Sequence, residues 1–147
     1  MSTNALVMFA KREKGVSFGK IPERTTAQVY KHNDGGRRHL GNELCKILKN
    51  AKLESGITTG QRSIFNGPGD LAAHVITCLK TCSSNGVFIP KQGDVYLDQV
   101  GTDRGNVNYT YYIWSDYDKD VWISVFNVDG DCEFVGEPEA LQTRYDN

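Results

Sequence analysis

Long apolar runs are missing from this chain, and so are internal repeats, low-complexity tracts and linkers long enough to divide it. No segment approaches the ~20 apolar residues that a membrane-spanning helix needs. The start, Met1 to Val7, has no basic segment followed by a long apolar one, so it does not read as a signal peptide and a cytoplasmic location is expected. Histidine is scarce. His32, His39 and His74, with Asp34 or Asp70, have the right chemistry for a metal, but none stands in HxH or HExxH spacing. No metal and no cofactor are therefore expected. No Gly-Lys-Ser/Thr ending marks a nucleotide loop of the Walker type. Aromatic and basic residues do not interleave within one strand as an RNA-binding sheet requires, so nucleic acid is not an expected partner.

What is there describes an ordinary globular chain of 147 residues, long enough to bury a core as one domain over 1–147. The net charge of −1 conceals a split. Residues 1–80 hold 13 Lys+Arg against 6 Asp+Glu, and residues 81–147 hold 4 against 12. Either the halves form a basic and an acidic face, or they fold together and neutralise each other. Cys45, Cys78, Cys82 and Cys132 lack close zinc spacing and read as buried, reduced core residues.

Strand-length apolar runs occur at Leu6–Ala10, Thr26–Tyr30, Val87–Ile89, Val95–Leu97, Val107–Trp114, Val121–Val128 and Cys132–Val135. Val16, Phe18 and Ile21, set against Ser17 and Lys20, suggest one more. Asp129-Gly130 is a strong hairpin signal. Two stripes at helical spacing follow Leu40, Leu44, Ile47, Leu48, Ala51 and Leu71, Val75, Cys78, Leu79, Cys82. Residues 54–64 read as a polar link, and Pro138–Tyr145 as a last short helix. The order predicts an α+β fold: a largely antiparallel β-sheet, made of an N-terminal hairpin plus a C-terminal meander, with two main α-helices packed on one face.

The densest chemistry lies between the third strand candidate and the first helix. His32, Asp34, Gly35, Gly36, Arg37, Arg38 and His39 crowd into eight residues. Backbone N–H groups of a glycine turn at a helix start point at anions, and paired arginines clamp phosphate oxygens. The histidines add donors or a proton carrier. Asp34 equally suits an Asx-turn or a helix cap, with the arginines merely solvated. A second turn, Asn66, Gly67, Gly69 and Asp70 around Pro68, makes a two-sided cradle if it lies beside the first, and is ordinary helix initiation otherwise. Tyr109, Tyr111 and Tyr112 lie in the acidic half. Exposed, they would suit a basic protein partner; otherwise they cover the core.

These motifs resemble those of an uncharacterised family of small proteins from bacteriophages and prokaryotic genomes. Its members begin like Met-Ser-Thr-Arg-Ala, carry Tyr-Arg-His-x-Asp-Gly-Tyr-Pro before the first helix and Asn-Gly-x-Gly-Asp-Leu-Ala-Ala at the second. Here stand Met1–Ala5, Tyr30-Lys31-His32-Asn33-Asp34-Gly35-Gly36 and Asn66–Ala73, followed by Tyr96-Leu97, Gly101-Thr102 and Tyr109-Thr110-Tyr111. Gly36-Arg37 replaces the family's Tyr-Pro. The resemblance implies the fold and a phage origin, and no activity.

The functional expectation is a phage-encoded accessory protein that binds a host factor or a nucleotide-type ligand, in host takeover or against a host defence. The alternative is a small nucleotide hydrolase or phosphodiesterase using the His32–Arg38 turn. A homodimer is a further expectation without a residue to carry it.

Overall fold

The structure, a computed structural model, describes residues 3–54, 64–84, 87–116 and 119–145. In chain order it holds β1 (Ala5–Arg12), β2 (Ala27–Lys31), a π-helical turn (Arg37–Gly41), α1 (Asn42–Leu48), β3 (Lys52–Glu54), β4 (Ile64–Asn66), α2 (Gly67–Lys80), β5 (Thr81–Ser84), β6 (Val87–Pro90), β7 (Val95–Asp98), β8 (Tyr109–Asp116), β9 (Val121–Asn127), β10 (Cys132–Gly136) and α3 (Pro138–Tyr145). Six strands form one sheet in the order β10-β9-β8-β1-β2-β7. Every seam is antiparallel except β1 with β8, which run parallel from Ala5↔Tyr109 to Arg12↔Asp116. That seam fuses the N-terminal pair to the C-terminal meander. The fold is α+β, as expected. The strand at 95–98 leaves the meander and pairs with β2, which sets up the site described below.

Alternation along β1 divides two cores. Ala5, Val7 and Phe9 share one apolar cluster with Tyr111, Ile113, Ile123 and Val125 of the sheet. Leu40 of the π turn, Leu44 and Leu48 of α1, Leu71, Val75 and Leu79 of α2, and Leu141 of α3 complete it. Three helices therefore contribute, where two main ones are expected. On the other side, Ala10, Tyr112, Trp114 and Phe126 close around Phe18. Phe18 stacks on Trp122 with ring centroids 4.5 Å apart and meets Trp114 edge-on at 5.6 Å. The residues from Val16 to Ile21 form a loop, not a strand. Its one deep anchor is Phe18, while Val16 and Ile21 stay exposed.

The first helical stripe is buried as its spacing predicts, but the helix is shorter than its pattern. α1 stops at Leu48, Asn50 adopts φ +59, and Lys52 already lies in β3. β3 pairs with β4 at the two ends of the segment read as a polar link, whose residues 55–63 lie outside the described residues. α2 ends at Lys80, two residues before the stripe does, because Thr81 is extended and begins β5. Gly130 takes φ +83 in the turn between β9 and β10, which is why Asp129-Gly130 announces it.

The charge split is resolved by ion pairs that join the halves. Arg12–Asp116, Lys31–Asp94, Arg37–Glu133 and Lys52–Asp120 each match a first-half cation with a second-half carboxylate. Tyr111 and Tyr112 are buried, one in each core, so they cover the core and offer no exposed aromatic sheet. Cys45 is buried, Cys78 half-buried and Cys132 exposed, and none of these three is in a disulfide. Burial pushes the Cys78 and Cys132 thiols up. The side chain of Cys82 and residues Tyr117 and Asp118 of the charged β8–β9 turn lie outside the described residues. Among the described residues no helix is long and apolar enough to cross a membrane.

Candidate functional site

An open groove of about 560 Å³ runs between the π turn, α1 and the start of β7. From the sequence-predicted set it takes Asp34, Arg38 and His39. To these it adds Lys31, Asn42, Glu43, Lys46, Lys91 and Asp94. The remaining predicted residues go elsewhere, each for a visible reason.

Arg37 turns away. Its Nη1 donates to Glu133 Oε2 at 2.7 Å and its guanidinium lies over the Tyr109 ring at 5.5 Å. The two arginines therefore do not form a clamp. His32 follows the last residue of β2 and is not among the residues that line the groove. Its Nδ1 lies 3.0 Å from the Tyr30 hydroxyl. Gly35 is needed by packing: a Cβ there would stand 2.7 Å from Ala5 Cβ and 2.9 Å from the Asn4 carbonyl carbon. Its N–H donates to Thr3 O, and its carbonyl accepts from the buried Tyr111 hydroxyl at 2.8 Å. Gly36 has open space around its Cβ position.

The expected backbone anion nest is largely occupied by the protein itself. His32 N donates to Asp94 O, Asn33 N to Asp94 Oδ1, and both His39 N and Gly41 N to Gly36 O. The second turn does not join the groove: Asn66, Gly67, Gly69 and Asp70 are absent from its walls. Asp70 Oδ2 accepts from Asn66 N at 2.8 Å, which puts a carboxylate at the start of α2. His74 lies against Phe65 and Cys78, and among the described residues no three metal-ligating side chains converge.

Asp94 is the centre that sequence reading misses. It accepts from Asn33 N at 2.7 Å and pairs with the Lys31 ammonium, which also donates to Asn33 O at 2.6 Å. Lys31 is only 4% exposed. Asp94 takes φ +65 and Asp34 φ +56, both rare for residues with a side chain. Burial pushes the Asp94 carboxyl up. The hydrogen bonds from Lys31 and Asn33 and the charges of Lys31 and Lys91 outweigh it, and Asp94 stays below the usual carboxylate range. Only the β2–β7 pairing, with Lys31 opposite Val95, brings these residues together.

A second carboxylate performs similar work behind the sheet edge. Asp98 accepts from Arg104 Nε at 3.0 Å and from Gln28, which is 1% exposed and also holds Thr102 O. Arg104 lies over Tyr30 at 4.4 Å. The Arg104 hydrogen bond lowers the Asp98 carboxyl against the opposing effect of burial, with Gln28 assisting. This network pins the loop after β7. Both carboxylates ionise more easily folded than unfolded, so the stability they add is full above the ordinary carboxylate pKa of about 4 and is lost as pH falls below it. Melting temperature is expected to fall on acidification through that window. Asp94→Asn and Asp98→Asn should each flatten the dependence; an unchanged acid profile in both would refute it.

Gly15-Val16-Ser17-Phe18-Gly19 has the spelling of a nucleophile elbow, Gly-x-Ser-x-Gly. It lies in the loop between β1 and β2, with no helix after it, and Ser17 Oγ accepts from Gly19 N at 3.1 Å. It is a loop turn, not an elbow.

No protein-family model, no curated protein and no solved structure matches this chain.

The groove thus rests on its own geometry. Two left-handed aspartates, a π-helical turn, a buried lysine and a buried Asn42 Oδ1 without a partner among the described residues all border the same space. Local strain and irregular turns concentrate at binding and catalytic sites.

Proposed function

We propose that this chain is a phage-encoded accessory protein that acts by binding in the host cytoplasm, and that its ligand is a nucleotide-type molecule seated in the groove. The observation that supports this reading is the convergence of left-handed backbone, an irregular turn and mixed charge on one open surface. Arg38, Lys46 and Lys91 supply cations for a phosphate, and His39 a further donor. The host-factor reading loses its expected aromatic platform, since Tyr111 and Tyr112 are buried.

The test is a thermal-shift screen against nucleotides. A ligand at a hundred times its Kd adds about 2.7 kcal/mol, which corresponds to a rise of about 5–10 °C in a domain of this size. Arg38→Ala should abolish the shift, whereas Arg37→Ala should leave it. No shift with any nucleotide would reject the reading. The hydrolase alternative keeps one supporting residue, because His39 lies in the groove beside Arg38. It requires product formation that is lost in His39→Ala while binding survives.

A further inference from the structure

We infer that the chain associates with a second copy of itself through the free edge of β7, with Leu97 facing Leu97 across a two-fold axis. β10 and β7 are the two edges of the sheet. An edge strand offers unpaired backbone groups to any extended chain, and proteins blunt such edges with bulges, prolines or charges. β10 is blunted: its register shifts between Cys132 and Phe134, with Glu133 as the extra residue. β7 is not. Val95-Tyr96-Leu97-Asp98 pairs with β2 without a shift and holds neither proline nor lysine. Its one charged residue, Asp98, is already paired with Arg104. Leu97 is 68% exposed, and Tyr96 and Val100 beside it are exposed as well.

Backbone parity singles out Leu97. His32 N donates to Asp94 O, so in this antiparallel ladder Tyr30–Tyr96 and Gln28–Asp98 are the pairs that turn their N–H and C=O groups toward each other. Val95 and Leu97 therefore point theirs outward. Those of Val95 are occupied: its N–H donates to Gly93 O, and its carbonyl accepts from Lys80 Nζ at 3.0 Å. The N–H and C=O of Leu97 meet no partner among the described residues. A hydrogen-bonded antiparallel pair exchanges one N–H···O bond in each direction, so a residue with both groups open satisfies itself across a two-fold axis. The flanks agree. Before Leu97 the edge is basic, with Lys80 at Val95 and Lys91 near Asp94, whose own charge Lys31 answers. After it stand Asp98 and Asp103 against Arg104. An antiparallel two-fold lays the basic flank of one copy on the acidic flank of the other. Tyr96 then faces Asp98 of the other copy, and that carboxylate arrives with its own Arg104, so no bare charge is buried. The two six-stranded sheets become one continuous sheet.

Sedimentation equilibrium of the full chain tests this. The unmodified protein is expected to show a reversible monomer–dimer equilibrium. Leu97→Lys sets two ammonium groups opposite each other on the axis and should weaken association about a hundredfold. Leu97→Asp should do the same with two carboxylates. The side chain is exposed in the single copy, so the fold of either variant is easily kept. The decisive arm is an equimolar mixture of the two variants. Residue 97 of one copy meets residue 97 of the other, so lysine then faces aspartate and the dimer should return. An unmodified chain that stays monomeric overturns the inference, as does a single variant that still dimerises. A mixture that stays monomeric overturns the two-fold register and leaves the edge to an extended segment of a different protein.

Discussion

Gly35→Ala is expected to destabilise the fold by about 3 kcal/mol, at the upper end of overpacking effects, lowering the melting temperature by several degrees. The new Cβ would meet Ala5 Cβ at 2.7 Å and two backbone atoms at 2.9 and 3.0 Å. Backbone cannot rotate out of the way as a flexible side chain can, so either β1 or the turn must shift. Either movement strains the Gly35 N–H bond to Thr3 O and the Tyr111 hydroxyl bond to Gly35 O. Gly36→Ala, one residue on, is the control. Its φ is −70, nothing lies within 4 Å of the added atom, and the change removes freedom from the unfolded chain. A gain of about 0.4–1 kcal/mol is expected there. Chemical denaturation of the two variants decides the matter: equal effects would mean that the Gly-Gly pair serves the turn as a unit and not through its contact with β1.

That contrast shows what sequence reading can and cannot reach. The spacing of Leu40, Leu44 and Leu48, of Leu71, Val75 and Leu79, and of the C-terminal strands follows from local periodicity, so the elements were legible. The Gly-Gly pair, the arginine pair and the two histidines looked like one constellation because they are adjacent. His32 lies against the Tyr30 hydroxyl, outside the groove that Lys31 lines. The π turn then separates Arg37 from Arg38, leaving one on Glu133 and the other in the groove. What was illegible is the partner of each group. Asp94 is 63 positions from Lys31, and Glu133 is 96 from Arg37. No local pattern announces such pairs, and the parallel β1–β8 seam that brings the second half to the first has no sequence signature of its own. The split of basic and acidic halves was the one trace of it. In the fold that trace corresponds to the ion pairs joining the halves, of which Arg12–Asp116 lies across the β1–β8 seam.

Asp94→Asn tests whether the groove is held by that long-range pair. The substitution keeps the size of the side chain but removes the charge that neutralises Lys31, whose side chain is 5% exposed against 24% for Asp94. An uncompensated buried ammonium is expected to cost about 3 kcal/mol, the low end for a broken buried pair because Asp94 retains some contact with water. Lys31→Met alone should cost less, since Asp94 keeps Asn33 N–H and solvent. The double variant should recover much of the loss, giving a coupling of about 1–3 kcal/mol in a thermodynamic cycle. Additive effects would show that the pair is incidental. The cycle also separates stability from function. Asp94 holds the backbone at His32 and Asn33, immediately before the left-handed Asp34. If the double variant regains stability but not ligand, the carboxylate shapes the groove as well as neutralising the lysine. If it regains both, the pair is a structural fastening, and the proposed recognition falls to Arg38, His39, Lys46 and Lys91.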